Sequence, residues 1–237
     1  IPYLNASLFS LTYTSENVSL LPSLINTLIM TLVSLAIAAP VGIFAAIFLV
    51  EYAKKGSRFV KLIRITAETL SGIPSIVYGL FGMLFFVTAL HWGMSLLSGA
   101  LTMVIMVLPL IMRTAEEALK SVPDSYREAS FGLGAGKLRT IFTIVLPSAV
   151  PGILAGVILA IGRVVGETAA LLYTSGTVAA VPNSLMGSGR TLALHMYVLS
   201  SEGLHVNQAS ATAVVILAFV LVINGLSGLV ARKIAKG

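Results

Sequence analysis

The sequence predicts an all-α integral membrane protein, a polytopic helical bundle, and three observations lead to this fold class. Apolar and aromatic residues make up 57% of the 237 residues, while charged residues make up only 10%. Mean hydropathy is +0.99. Soluble domains carry about 25% charged residues, which disfavours a water-soluble enzyme, a disordered chain and a nucleic-acid-binding module. The third observation is that the apolar residues form runs long enough for a helix of about 20 residues to cross a bilayer.

Five apolar stretches predict five membrane-spanning helices. The first lies within an uncharged run that ends at Val50, and the next two share one uncharged run divided by a hairpin at His91-Trp92-Gly93. The fourth contains Arg163 and Glu167, and the fifth precedes a basic tail. Stretches of this length fit helices and are too long for the strands of a membrane barrel. The predicted spans are residues 24–50, 66–89, 95–115, 150–173 and 209–231.

The basic residues fall on one side of these spans and indicate their orientation. Thirteen of the fifteen Lys and Arg residues lie in segments 51–64 and 113–139 and in the tail, and loops rich in such residues face the cytoplasm. We therefore expect a single transmembrane domain over residues 1–237, in the plasma or inner membrane, with a cytoplasmic C-terminus. Residues 1–22 and 175–208 are then extracytoplasmic. Since the chain starts outside without a signal peptide, we expect an earlier span, which gives six in the intact protein; the alternative is a processed protein or one with five spans.

No group of residues in the sequence has the spacing of a catalytic or metal site. The sequence contains no cysteine, which excludes disulfides, thiol catalysis and Cys-ligated metals. The histidines at 91, 195 and 205 are isolated, and we interpret them as structural. There is also no G-x-x-x-x-G-K-[ST] phosphate loop. We therefore predict a protein that is not an enzyme, binds no metal or cofactor of its own and no nucleic acid, and contacts membrane lipid.

The longest polar stretch between spans, residues 121–147, has the features of a docking segment. Pro123 can open a helix, and acidic residues near its start with basic residues toward its end suit a short helix. Glycines 132, 134 and 136 predict a turn, followed by a second helix that stops at Pro147. The small residues Ala129, Ser130 and Ala135 would leave a surface that another protein can approach closely. On these grounds alone, an ordinary solvated loop is the favoured alternative.

This segment resembles the membrane subunits of binding-protein-dependent ABC importers. That family carries E-A-A, three residues, G, nine residues, I, one residue and L-P. The residues of this chain at those spacings are Glu128, Ala129, Ser130, Gly134, Ile144, Leu146 and Pro147. Ser130 replaces the second alanine, a change that should still permit close packing. The resemblance implies a coupling helix that fits a groove on an ATPase subunit dimer, and that the ATPase, not this chain, uses ATP and Mg²⁺.

Arg163 and Glu167 form a charged pair inside the fourth predicted span. Residues four apart share one helical face, and Arg163 follows Pro151 by roughly 18 Å of helix. A charge at that depth costs at least ~2.5 kcal/mol and normally marks a pathway or a partner. We expect Glu167 to hold Arg163 while the site is empty, and Gly162 and Gly166 to leave room beside it. The alternative is a structural ion pair that neutralises itself within the bundle.

The segment Ser71-Gly72-Ile73-Pro74-Ser75 interrupts the second predicted span. Pro74 removes a backbone hydrogen bond and Gly72 loosens the turn, which predicts a break or kink in mid-membrane. Broken helices present free N–H groups and a positive dipole end to anions. Hydroxyls of Ser71, Ser75 and Tyr78 would add donors. A packing kink without any ligand is an equally weighted alternative.

Two stretches resemble the phosphate importer branch of the same family, especially its PstA-type subunit. They are S-G-I-P-S-I-V-Y-G-L-F-G at 71–82 and R-V-V-G-E-T-A at 163–169. The resemblance implies import of inorganic phosphate by alternating access. It also implies a second permease subunit (PstC-type, or a second copy of this chain), an extracytoplasmic phosphate-binding protein, and a bacterial or archaeal membrane. The implied phosphate route is lined by Arg163, Glu167, Thr168, Ser71, Gly72, Ser75 and Tyr78.

Two alternatives to phosphate import stay open at this point. Arg163 would serve sulfate or molybdate as well as phosphate, because a guanidinium forms paired contacts with any such oxyanion. A passive anion channel or facilitator would need no partner at residues 123–147.

Overall fold

The computed structural model describes residues 10–11, 13, 18–54, 56–201, 203 and 205–235. Within these residues the regular secondary structure is helical throughout, which confirms the predicted fold class. We number the helices in chain order. They are α1 Leu21–Tyr52, α2 Arg58–Ser71, α3 Ser75–Ala89, α4 Leu96–Lys120, α5 Asp124–Gly132, α6 Lys137–Gly166, α7 Ala169–Thr174, α8 Leu192–Ser201 and α9 Val206–Ala235.

The described helices include the predicted membrane spans. Four are long and apolar enough to cross a membrane, namely α1, α4, α6 and the Val206–Gly225 part of α9. The pair α2 and α3 passes the same test together as one broken span, which gives the five that the sequence predicts. A loop around His91 and Gly93, both with positive φ, follows α3 and forms the predicted hairpin. The protein is therefore a multi-pass membrane protein.

The interruption at residues 71–75 is present as predicted. Helix α2 ends at Ser71, and α3 begins at Ser75 with Pro74 in an extended conformation as its N-cap. The Ser71 hydroxyl donates to the Glu68 carbonyl oxygen at 2.8 Å. Because α2 also carries Arg58, Lys61 and Arg64, the break follows a charged amphipathic helix. It does not separate two apolar half-helices, as the expectation of a mid-membrane break assumed.

Helix α6 overturns the prediction that a helix stops at Pro147. It begins at Lys137 and continues through Pro147 and Pro151 to Gly166. A π-helical turn at Ile141–Val145 precedes Pro147, and such turns already depart from the regular hydrogen-bond ladder that proline would disrupt. The helix ends seven residues before the predicted limit at 173, because the backbone of Thr168 is non-helical (φ −122°, ψ −53°).

The chain forms two compact units. The first unit contains residues 1–36, 73–106 and 161–222, and the second contains 37–72, 107–160 and 223–237. In the first unit, α3 packs directly on α7, since a Cβ added at Gly79 would lie 2.8 Å from the Cα of Ala170. In the second unit, α6 packs closely on α4, since a Cβ at Gly152 would lie 2.7 Å from the Cβ of Ala118.

Some sequence predictions fall on residues that the structure does not describe. Of the predicted extracytoplasmic segment 1–22, residues 10–11, 13 and 18–22 are described. Lys55 and Lys236, which belong to the basic clusters that predict orientation, also lie outside the described residues.

Candidate functional site

Arg163 lies in the last turn of α6, within the first unit. Its side chain is exposed. A Cβ added at Gly162 or at Gly166 would meet no atom within 4 Å, so the surface on both sides of Arg163 is open in this unit. Among the described residues the ion pairs do not include Arg163. Within the described residues, the guanidinium thus has no internal carboxylate as an ion-pair partner.

Glu167 does not hold Arg163, contrary to our expectation. The carboxylate is buried, and its Oε1 accepts a hydrogen bond at 3.1 Å from the backbone N–H of Ala170. It thereby satisfies one of the free N–H groups at the start of α7. The four-residue spacing fails because α6 ends at Gly166, before Glu167, so the two residues do not share one continuous helix.

Tyr78 and Arg163 both belong to the first unit. Tyr78 lies on α3 and is 3% exposed. The contact between Gly79 and Ala170 fixes the position of α3 next to α7. Ser75, the first residue of α3, is half-buried. Ser71 and Gly72 belong to the second unit, where both are exposed.

Thr168 lines a groove that the sequence did not reveal. The groove has a volume of about 370 Å³ and lies in the first unit, between α8 and α9. Arg163 is not part of its lining. Four further side chains that line it are polar or contain sulfur. The sequence around α8 has no pattern that would predict this groove, so they become apparent only from the packing of α8. These are Met196, Tyr197, Ser200 and Ser210.

A second cation of the first unit, Arg190, is buried. It is 4% exposed, its Nε and Nη2 have no hydrogen-bond partner within the described part of the chain, and its guanidinium carbon lies 4.6 Å from the centroid of the Tyr13 ring. His195 is fully buried, and neither ring nitrogen has a partner. Burial, followed by the charge of Arg190, lowers the pKa of His195 to about 3. The burial of His195 agrees with the interpretation of an isolated structural histidine, which stays a prediction, whereas the sequence did not predict the burial of Arg190.

The segment predicted to dock contains α5, a glycine turn and the start of α6. Gly134 has φ +82°, and the backbone N–H groups of Gly134 and Ala135 donate to the carbonyl oxygens of Phe131 and Ser130 at 2.9 and 3.1 Å. This is the hydrogen-bond pattern of a Schellman C-cap, which requires a residue in the left-handed region. The physical role of the fixed glycine in the motif is therefore to end α5.

Ser130 does not contribute to an approachable surface, which corrects our interpretation. It is 3% exposed, and its hydroxyl pairs with that of Thr140 at 2.8 Å. The substitution of serine for the second alanine of the motif thus adds an internal bond between α5 and α6. Glu128 and Ala129 are exposed, Ala135 and Ile144 are half-buried, and Leu146 packs against the buried core of the second unit. Pro147 is exposed within α6.

The same segment exposes large apolar side chains. Leu133 is 89% exposed, at the end of α5. The others that are at least about half exposed are Tyr126, Phe131, Leu138 and Phe142. Their position around α5 and the start of α6 agrees with a contact surface for another molecule, since clustered exposed apolar residues mark interaction sites.

The spans and the apolar segment around α5 define a helical membrane permease. The chain belongs to the family described as the binding-protein-dependent transport system inner membrane component, whose sequence model matches residues 38–236. It is similar in fold to a chain of the MetNI methionine ABC transporter (TM-score 0.70, 18% identity, 90% of this chain and 93% of that one). It is also similar in fold to a chain of a bacterial alginate ABC transporter (TM-score 0.71, 18% identity, covering 99% of this chain and 85% of that one).

Curated relatives are similar in sequence. A probable ABC transporter permease of Bacillus subtilis, YqgI, is 34% identical over 231 residues, covering 89% of this chain and 78% of the relative. The phosphate transport system permease PstA 1 of Mycobacterium tuberculosis is 42% identical over 154 residues, 65% of this chain and 50% of the relative. The PstA homolog of Mycoplasma pneumoniae is 36% identical over 214 residues, which cover 86% of this chain and 33% of the relative. The chain therefore spans a third to a half of these PstA relatives. The resemblance to PstA-type importer permeases is confirmed.

Proposed function

We propose that this chain is a permease subunit of an ATP-driven importer of inorganic phosphate. The observation that carries the proposal is the exposed Arg163 guanidinium, which has no carboxylate partner among the described residues and lies on an open helix face. The relatives named phosphate transport permeases support the choice of phosphate. A membrane protein retains such a charge when it meets a substrate or a partner.

Arg163 would bind phosphate through paired N–H donors, the geometry that guanidinium offers to oxyanions. Tyr78, which belongs to the same unit, would present its hydroxyl to the same anion. Thr168 and Ser75 in the first unit, and Ser71 and Gly72 in the second, are further candidates along the route. Glu167 would act indirectly, because its bond to Ala170 fixes the turn that follows Arg163.

The partner at α5 would be the ATPase. The exposed side chains Tyr126, Phe131 and Leu133 would enter its groove, with Glu128 and Ala129 on the accessible part of the same helix. We expect ATP and Mg²⁺ to be bound by that partner, because this sequence has no phosphate loop, and we expect no cofactor and no catalysis in this chain. Residues 113–139 would then lie in the cytoplasm, together with the C-terminus.

The remaining partners follow from the same proposal. A second permease subunit, either PstC-type or another copy of this chain, would complete the route. Residues 1–22 and 175–208 would receive phosphate from an extracytoplasmic binding protein. Transport would proceed by alternating access, in which nucleotide-driven movement at α5 shifts the spans around the site.

The test is phosphate uptake by the complete importer, reconstituted in vesicles with Arg163→Ala. We expect uptake to fall by at least about 100-fold, since loss of a paired ionic contact to the substrate removes a large share of its binding, while the ATPase still co-purifies. Arg58→Ala is the matched control, because Arg58 is an exposed arginine in the first turn of α2 and lies outside the proposed route. Normal uptake by a properly assembled Arg163→Ala importer would refute the role.

The same vesicles separate the alternatives. An excess of sulfate or molybdate that abolishes phosphate uptake would favour a different oxyanion. Anion flux that persists without ATP would favour a passive channel.

A further inference from the structure

We infer that Arg127 is the positioning residue that fastens α5 to the ends of α1 and α4, so that movement of α5 moves both helices. The inference rests on the proposed function, in which an ATPase acts on α5. It concerns how movement of α5 is transmitted to the spans, and it does not depend on which anion is transported.

The Arg127 guanidinium uses each of its five N–H donors. Nε and Nη2 donate to Oε1 of Glu51 at 3.1 and 2.7 Å. Nη2 also donates to the Leu119 carbonyl oxygen at 3.0 Å. Nη1 donates to the Val122 carbonyl oxygen at 2.8 Å and to Oδ1 of Asp124 at 3.2 Å. One side chain on α5 thus contacts the end of α1, the last turn of α4 and the residues that follow α4.

These contacts are specific because of where the acceptors lie. Glu51 is in the π-helical turn that ends α1, and its side chain is 9% exposed beside an Arg127 side chain that is 13% exposed. The Leu119 carbonyl is among the last four of α4, which have no partner within their helix. A buried pair with satisfied hydrogen bonds has a fixed geometry, whereas an exposed surface pair contributes little.

A second contact joins the same places. The Lys137 ammonium, at the start of α6, lies 4.7 Å from the centroid of the Tyr52 ring, next to Glu51 in sequence. The Ser130–Thr140 bond ties α5 to α6. Consequently α5 and the start of α6 are attached to the end of α1 as one piece, and Arg127 is the member of this set with the largest number of bonds.

Helices α1 and α4 are continuous beyond the second unit, and α6 carries Arg163 near its end. A displacement of α5 by the ATPase therefore reaches three spans through bonded contacts. Without Arg127, α5 could move while α1 and α4 stay in place. ATP would then be hydrolysed without a change at the transport site.

The test uses a single cysteine, Thr168→Cys, as a reporter in the assembled complex, since this sequence contains no other cysteine. The rate of labelling by a maleimide is measured with and without ATP and vanadate. With Arg127 intact we expect nucleotide to change the rate by about fivefold, the lower end of usual couplings between sites. With Arg127→Ala we expect no nucleotide effect, although ATP is still hydrolysed. This readout requires no phosphate, so it stands apart from the uptake test of the proposed function.

Two more conservative substitutions keep the inference testable if the Arg127→Ala protein does not fold. Arg127→Lys keeps one charge but has three donors on a single nitrogen, and we expect a reduced nucleotide effect. Glu51→Gln keeps an acceptor for Arg127 and should give the same partial loss. Arg139→Ala, an exposed arginine in the same segment, is the matched control and should behave as the parent reporter.

A purely structural role would lower the amount of complex recovered without altering the response of each assembled complex. An unchanged fivefold response in assembled Arg127→Ala, Arg127→Lys and Glu51→Gln complexes would therefore overturn the inference. So would the absence of any nucleotide response when Arg127 is intact, because there would then be no movement to transmit.

Discussion

Two arginines with little solvent exposure, one in each unit, differ in how their charge is compensated. Arg127 in the second unit has a carboxylate at 2.7 Å and uses every donor. Arg190 in the first unit is more deeply buried, at 4% exposed, and its Nε and Nη2 have no hydrogen-bond partner among the described residues. Its guanidinium lies over the face of the Tyr13 ring.

The other charges of the two units follow the same division. In the second unit the buried Glu116 lies 2.6 Å from both Arg64 and Lys120. In the first unit Arg163 has no ion pair with any described residue, and Glu167 accepts a hydrogen bond from a backbone N–H. Ion pairs inside the second unit would suit the proposed transmission of movement from α5, because they hold the helix ends in a constant geometry. Cations without carboxylate partners suit a unit that meets an anion, because no internal acid competes with it.

The largest expected effect comes from replacing each of these arginines with methionine. Arg127→Met leaves the Glu51 side chain, which is 9% exposed, without its cation; breaking a fully buried pair costs about 3–5 kcal/mol, and we expect the lower end for this partly exposed pair. Arg190→Met removes a charge that has no counter-ion among the described residues, and the loss of the Tyr13 contact, about 1–2 kcal/mol, is offset because the cost of burying that charge is removed as well. We expect stability to be nearly unchanged or higher. Thermal unfolding of both variants in detergent measures the contrast.

Equal destabilisation by Arg127→Met and Arg190→Met would contradict the expected difference between the two arginines. It would mean that Arg190 has a stabilising partner that the described residues do not include. Lys120→Met provides a reference, because this cation is half-exposed and Glu116 keeps Arg64 after its removal.

The sequence predicted those features that depend on composition and on backbone chemistry. Uncharged runs located the five spans, and Pro74 located the break before α3. The fixed glycine of the motif predicted the turn, and Gly134 has the positive φ that ends α5. Each of these depends on a local property, such as hydropathy or the absence of a Cβ, that packing does not change.

The failures share a different cause. Pro147 did not stop α6 because a π-helical turn precedes it. Glu167 did not pair with Arg163 because α6 ends between them. The small size of Ser130 predicts a surface position, but the residue is buried and hydrogen-bonded to Thr140, ten residues later. In each case the outcome depended on where a helix ends or what packs on it, and residue spacing alone does not contain that information. The roles of Arg163, Tyr78 and Thr168 stay predictions.

An acid titration sharpens the comparison at His195. Burial, and then the charge of Arg190, lowers the pKa of His195 from 6.5 to about 3, so the unfolded chain binds a proton more readily than the folded one. The stability from a neutral His195 is therefore complete above pH 6.5 and is lost as the pH falls from 6.5 toward 3. We expect a loss of roughly 3 kcal/mol by pH 4, measured as the difference in unfolding between the parent and His195→Leu.

Arg190→Met tests the electrostatic part of this effect. Removing the nearby positive charge should raise the pKa of His195 and reduce the loss of stability at pH 4. An identical acid response in the parent and in His195→Leu would contradict the assignment. Arg190 and Tyr13 are the charged and titratable groups that contact His195 among the described residues.

The smallest expected difference separates two glycines of the second unit and tests how firmly its docking segment is fixed. A Cβ at Gly134 or at Gly136 would meet no atom within 4 Å, but Gly134 has φ +82° and Gly136 has φ −73°. Alanine at Gly134 should cost about 1–2 kcal/mol, the penalty for a side chain in the left-handed region, and should reduce the ATPase that co-purifies. Alanine at Gly136, the N-cap of α6, should cost less, about 0.5 kcal/mol, because alanine is only a poorer N-cap residue than glycine. Equal effects would show that α5 ends without the left-handed cap, and that the segment is less rigid than its bonds to Glu51 and Thr140 indicate.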